Sequence, residues 1–132
     1  MFKRLTLLFI AQLFIINPSI SMEKETTFNK KLFDKAQSEG KVVIVSSWIK
    51  YCSSCASQMK VLNKAKNDGK LFDIKFDNIE YFSFDVTNKD IANLLNVKFQ
   101  TTLLIFKNNS EIYRSLGETT EDLIYEALKK SI

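Results

Sequence analysis

KVVIVSSWIKYCSSCASQMKVLNKAKN, Lys41 to Asn67, decides the fold of this chain. Its first part, Lys41 to Ser47, is a short apolar run rich in β-branched residues, the pattern of a strand buried on both faces. Its last part, Ala56 to Asn67, carries Met59, Leu62 and Ala65 in helical register, and Asp68-Gly69 closes it. Between them lie Cys52 and Cys55, the only two cysteines. Two intervening residues suit a redox pair, a structural bridge or half of a metal site. A strand that runs into a helix through Cys-x-x-Cys is a stronger signal than the spacing alone.

The position favours redox chemistry. The first turn of a helix has free N–H groups and the positive end of the macrodipole. A thiolate placed there is stabilised, so its pKa falls and its reactivity near neutral pH rises. Cys52, at or just before the helix start, is expected to be the exposed attacking sulfur. Cys55, one turn later, is placed to resolve a mixed disulfide. Lys50 adds positive charge beside the pair, and Ser53 and Ser54 read as residues that set the helix start rather than as catalysts. A bridge across two residues constrains little chain, which weakens a purely structural role. The chain has no His, so Cys₂His₂ zinc and Cys/His copper sites are excluded, and a four-thiolate site would need two chains. No cofactor and no resident metal are expected.

Working outward, Thr27 to Glu39 reads as a helix with Phe28, Leu32, Phe33 and Ala36 on its apolar face and Gly40 as its stop. Leu71 to Asn78 fits either a helical turn or an edge strand. Tyr81 to Val86 is a second strand, and Asp85 reads as its end or a turn. Asn88 to Asn96 is a short helix with Ile91, Leu94 and Leu95 on one face. Thr102 to Lys107 and Glu111 to Leu116 form a hairpin about Asn108-Asn109. Gly117 ends that hairpin. Thr119 or Thr120 caps a last helix through Lys130, with Leu123, Ile124, Ala127 and Leu128 inward. The phenylalanines between Phe72 and Phe84 read as core. The fold class is α/β, with a mixed sheet of four strands, five if Leu71 to Asn78 adds one, and helices on both faces.

The N-terminus has a different character. Lys3 and Arg4 precede a nearly unbroken apolar run, Leu5 to Ile16, then Asn17-Pro18 and the small residues Ser19 and Ser21. This is the layout of a secretory signal peptide. The run is about twelve residues, short of the roughly 20 that a spanning helix needs. Residues 1–21 are therefore expected to be removed, leaving 22–132 as a single domain; an uncleaved membrane anchor is the alternative. Export places the cysteines in an oxidising compartment, a periplasm or the exterior. Loss of residues 1–21 lowers the net charge from +4 to +2, and the remaining lysines are spread along the chain. No nucleic-acid partner is expected.

With these elements placed, the chain resembles the thioredoxin-like fold family. More narrowly it is similar to periplasmic domains related to the C-terminal domain of the thiol–disulfide interchange proteins. The resemblance rests on VVIVSSWIKYCSSC, FDVTNKDIANLLNV, TTLLIFKNN and Gly117, over roughly Thr27 to Lys130. It implies that Cys52 is the nucleophile and Cys55 the resolving thiol. It also implies that they form a disulfide, and that Trp48, Tyr51, Gln100 and Thr101 line the substrate rim. Three positions depart from the family pattern. Thr101 stands where the family has a cis-proline, a residue that offers backbone atoms to substrate and keeps metals off the cysteines. Ser46 replaces a buried aspartate that accepts the proton of the resolving thiol. Tyr81 falls near the lysine that pairs with that aspartate.

The implied function is a periplasmic thiol–disulfide oxidoreductase acting as a monomer on exported proteins with disulfides or thiols, recycled by a membrane or periplasmic redox partner. Two other functions fit the departures: a redox-inactive thioredoxin-like binding module, and a dimer bridged by a metal or iron–sulfur centre.

Overall fold

A computed structural model describes residues 24–67 and 78–131. The expected signal peptide and cleavage point lie outside the described residues, as do residues 71–77 of the segment with two readings. The strands are β1 (Val42–Trp48), β2 (Ile79–Asp85), β3 (Thr102–Lys107) and β4 (Ser110–Leu116). The helices are α1 (Lys30–Ser38), α2 (Ser53–Asn67), α3 (Lys89–Leu94) and α4 (Glu121–Ser131). The described strands form one sheet in the order β2-β1-β3-β4. β1 runs parallel to β2 and antiparallel to β3, and β3 pairs antiparallel with β4. This is the mixed sheet expected from the pattern.

The central position of β1 follows from its composition. All seven of its residues are buried, because both faces of the sheet are covered. Alternate residues serve opposite cores. Val43 and Val45 join Phe82, Phe84 and Leu104 under Phe33 and Ala36 of α1 and Ala92 of α3. Val42 and Ile44 join Leu103 and Ile105 under Leu62 and Ala65 of α2 and Ile124 and Leu128 of α4. Phe82 and Phe84 thus belong to the core, as read from the sequence.

Three details differ from the sequence reading. First, α1 begins at Lys30 rather than Thr27. The Asn29 side chain accepts the Leu32 N–H, the bond of a helix N-cap. Upstream residues are spent elsewhere: Thr27 and Phe28 donate their N–H groups to the Ser83 carbonyl, and Thr27 Oγ1 accepts the Ser83 N–H. An extended segment therefore lies along the outer edge of β2. Second, α2 begins at Ser53 rather than Ala56, which brings Cys55 inside the helix. Third, Leu32, Leu94 and Leu123 are about half exposed, at 52%, 50% and 50%. Each lies beside the buried stripe of its helix rather than on it, since these short helices turn a narrow face to the sheet. The β3–β4 turn is as expected. Asn108 and Asn109 both have positive φ, 52° and 62°, the conformation of a two-residue turn that matches strand twist. Asp85 ends β2 with an Asx turn, its Oδ1 accepting the N–H and hydroxyl of Thr87.

Candidate active site

The cysteine pair sits where β1 gives way to α2. Cys52 and Cys55 form a disulfide with Cα atoms 5.3 Å apart. Cys55 is fully buried, while Cys52 is partly exposed. The Cys52 carbonyl accepts the Ala56 N–H, so Cys52 occupies the N-cap position. The Cys55 N–H, one of the donors left without a carbonyl at a helix start, donates to Cys52 Sγ at 3.2 Å. A negative charge on Cys52 Sγ would meet that donor and the helix dipole together.

Trp48 is a wall rather than a rim. It is 9% exposed and packs with Cys55, Met59 and Cys52, and its indole N–H donates to the Glu25 carbonyl. Tyr51 is the exposed aromatic, at 91%. The Lys50 ammonium lies 5.0 Å above the Tyr51 ring, a cation–π contact. A second lysine was not legible from the sequence. Lys24 Nζ donates to the carbonyls of Ile49 and Cys52, at 3.1 and 2.9 Å. It ties the segment before α1 to the active-site loop. A contact between residues so far apart in the chain leaves no local pattern.

Thr101 faces the pair. It is 3% exposed, with φ 59° and a trans peptide before it. A β-branched residue in the left-handed region is strained, by roughly 1–3 kcal/mol. Bonds on both sides hold it there. Its N–H donates to the Ser47 carbonyl at 2.9 Å, and its own carbonyl accepts the Gly117 N–H at 2.9 Å and Gln58 Nε2 at 3.3 Å. A proline has neither that φ nor an N–H. Thr101→Pro would thus rebuild this loop rather than restore a missing groove. The Thr101 hydroxyl lies 3.2 Å from Cys55 Sγ, 3.6 Å from Cys52 Sγ and 3.0 Å from Ser54 Oγ. Ser54 Oγ is also 3.4 Å from Cys52 Sγ, so this serine does more than start a helix. Gln100, next to Thr101, is exposed at the surface.

On β1, Ser46 is fully buried and its hydroxyl lies 2.6 Å from the Tyr81 hydroxyl. The two departures from the family pattern therefore meet as a neutral pair. Burial pushes the Tyr81 phenol up to about 12, against the opposing effect of its hydrogen bond to Ser46. In the unfolded chain it ionises near 10. The stability this contributes is present in full below pH 10 and is lost as pH rises from about 10 to about 12. A shift of two units corresponds to about 3 kcal/mol. Urea unfolding across that range should show the loss, and Tyr81→Phe should remove most of it.

Gln58, fully buried one turn after Cys55, donates to the carbonyls of Thr101 and Glu118. Hydrogen bonds from the Thr120 N–H and hydroxyl hold the Glu118 carboxyl below the usual carboxylate range, with the Thr119 N–H adding to them. Among the described residues, no group of three or more His, Cys, Asp or Glu side chains could hold a metal ion.

The Thioredoxin family profile matches residues 19–130. Thioredoxin H-type from Fagopyrum esculentum is 24% identical over 100 residues, covering 75% of this chain and 79% of that protein. Thioredoxin-1 from Saccharomyces cerevisiae is 27% identical over 86 residues, covering 64% and 77%. Among solved structures, Trxlp from Edwardsiella tarda superposes with a TM-score of 0.68 at 24% identity, covering 76% of this chain and 94% of that one. The thioredoxin of Fasciola hepatica gives 0.59 at 20% identity, covering 77% and 89%. The structural neighbours share the fold, and the family profile spans nearly all of the described chain. The chain belongs to the Thioredoxin family, and its Cys-x-x-Cys pair marks it as a thiol–disulfide oxidoreductase.

Proposed function

We propose that this protein is exported and exchanges electrons with disulfides of other exported proteins through Cys52 and Cys55. The observation that carries this reading is the asymmetry of the pair. Cys52 is accessible and receives the Cys55 N–H, whereas Cys55 is buried behind it. In the reducing direction, the Cys52 thiolate attacks a substrate disulfide. One substrate sulfur leaves as a thiolate, and the other remains joined to Cys52. Cys55 then attacks Cys52 Sγ, forming the Cys52–Cys55 bond and releasing the second substrate thiolate. The substrate gains two electrons and the pair loses two. The reverse sequence oxidises a dithiol.

Tyr51 offers an exposed aromatic surface for a substrate chain, and Gln100 and Thr101 border the opposite side. Both cysteines come from one chain, so a monomer suffices. A membrane or periplasmic reductant or oxidant returns the pair to its starting state. Reduction of a protein disulfide by the wild type, compared with Cys52→Ser, tests the redox reading. Equal rates would leave a redox-inactive binding module instead.

Export rests on Lys3, Arg4 and the apolar run from Leu5 to Ile16. Fractionation of cells making the full chain should recover it outside the cytoplasm with a new N-terminus near Met22. Recovery of the uncleaved chain in the cytoplasm would sink this location, and recovery in membranes would favour the anchored form.

A further inference from the structure

The resolving step needs the Cys55 proton to leave a fully buried sulfur. The polar side chains on the neighbouring elements are poor acceptors. Ser46 on β1 and Tyr81 on β2 are neutral and bonded to each other. Gln58 on α2 spends its amide N–H groups on two carbonyls, and its buried, unpartnered Oε1 can accept but has no proton to pass on. Glu118, before α4, is a weakened base whose carboxylate already accepts from Thr119 and Thr120. Lys24, on the segment before α1, is a donor. The hydroxyl of Thr101 is different. It touches Cys55 Sγ at 3.2 Å and Ser54 Oγ at 3.0 Å, and Ser54 is exposed. The chain of contacts runs from the buried sulfur to solvent through two hydroxyls.

We propose that Thr101 and Ser54 form a two-hydroxyl proton wire that carries the Cys55 thiol proton to solvent as the mixed disulfide resolves. This rests on the reading of Cys52 as the attacking sulfur. A hydroxyl both donates and accepts. In the disulfide state the sulfurs can only accept, so Thr101 donates to a sulfur or to Ser54. In the mixed disulfide the Cys55 thiol can donate to Thr101 Oγ1. The Cys55 S–H bond then breaks, and its proton passes to Thr101 Oγ1. The proton that Thr101 held passes to Ser54 Oγ, and that of Ser54 passes to a base in solvent. The electron pair left on Cys55 attacks Cys52 Sγ, and the substrate leaves with the pair from the broken disulfide. Both hydroxyls end as they began, so nothing beyond the solvent base is consumed.

The strain at Thr101 is consistent with this role. The left-handed backbone places the hydroxyl against both sulfurs, and the bonds to Ser47, Gly117 and Gln58 hold it there. Such strain persists only where surrounding structure over-determines it.

Reaction of the reduced protein with an aromatic disulfide, dithiobis(nitrobenzoate), separates the steps. The first thionitrobenzoate released reports attack by Cys52, and the second reports resolution by Cys55. The expected result is that Thr101→Val slows the second release by roughly 10- to 100-fold relative to the first, the scale of acid–base assistance. Ser54→Ala, at an exposed position, should slow the second release in the same sense, and Thr101→Ser should restore it. The wild-type second release should slow in heavy water with a curved dependence on deuterium fraction, and Thr101→Val should straighten that curve. Second-release rates within about twofold of wild type in both Thr101→Val and Ser54→Ala would overturn the wire. A first release that survives in Cys52→Ser would overturn the assignment of Cys52 instead, so the two failures are distinct.

Discussion

Cys52→Ser abolishes disulfide reduction by this protein, with a loss of roughly 10³-fold or more, the scale seen when a nucleophile is removed. Serine keeps the size and the N-cap position but not the chemistry. An alcohol is not ionised near neutral pH, so the Cys55 N–H and the helix dipole have no anion to stabilise. Cys55 cannot substitute, because it is fully buried beneath Cys52. Cys55→Ser should behave differently. It leaves the first attack intact and stops the second, so a stoichiometric mixed disulfide accumulates with little turnover. Mass spectrometry after mixing with substrate would show that adduct in Cys55→Ser and none in Cys52→Ser. Adducts of equal yield in both variants would mean that the roles of the two sulfurs are wrongly assigned.

Ser46→Asp, which restores the residue type the family places there, should destabilise the protein near neutral pH by roughly 3–5 kcal/mol, the cost of an uncompensated buried charge. The new carboxyl would sit in a fully buried position, with a neutral phenol as its neighbour. Burial would raise its pKa above the unfolded value near 4. The folded state would then bind the proton more tightly than the unfolded one. Stability matching wild type below pH 4 would fall as pH rises toward the raised value, and then level off. The double variant Ser46→Asp/Tyr81→Lys should recover part of the loss, because the charge regains a partner. Urea unfolding of both variants at pH 4 and pH 8 checks this. A Ser46→Asp protein as stable as wild type at both pH values would mean that the site is wetter than the Ser46–Tyr81 pair suggests.

These two results bear on how the chain departs from its family. In the family pattern an acid and a lysine share the interior behind the resolving thiol. Here two hydroxyls stand at the matching positions, 2.6 Å apart. Replacing a buried ion pair by a neutral pair avoids a large desolvation cost. It also removes the base, so the proton of Cys55 needs another way out. Thr101 and Ser54 offer one, since they link the buried Cys55 sulfur to an exposed hydroxyl.

Much of the fold could be read from residue patterns. The β-branched run of β1 dictates a strand covered on both faces, since so much apolar surface gains by leaving water. Asn108-Asn109 dictates a tight hairpin, because asparagine tolerates positive φ. Cys-x-x-Cys between strand and helix dictates an accessible sulfur followed by a shielded one. Element boundaries were less legible. The start of α1 is decided by Asn29 capping and by the pull of Ser83 on Thr27 and Phe28, and that pull is a contact across the fold.

What the sequence by itself determined is the alternation of elements, the mixed sheet and the pair of sulfurs at a helix start. These follow from local preferences and periodicity, which act between residues close along the chain. Only the tertiary structure decided what surrounds those sulfurs. Thr101 is 46 positions from Cys55, and Tyr81 is 35 from Ser46. Contacts of that separation depend on how β2 and β3 register against β1, and no local spacing encodes that register. The sequence marks Ser46, Tyr81 and Thr101 as departures. Packing turns two of them into one neutral pair, and sets the third against the disulfide with its hydroxyl toward both sulfurs.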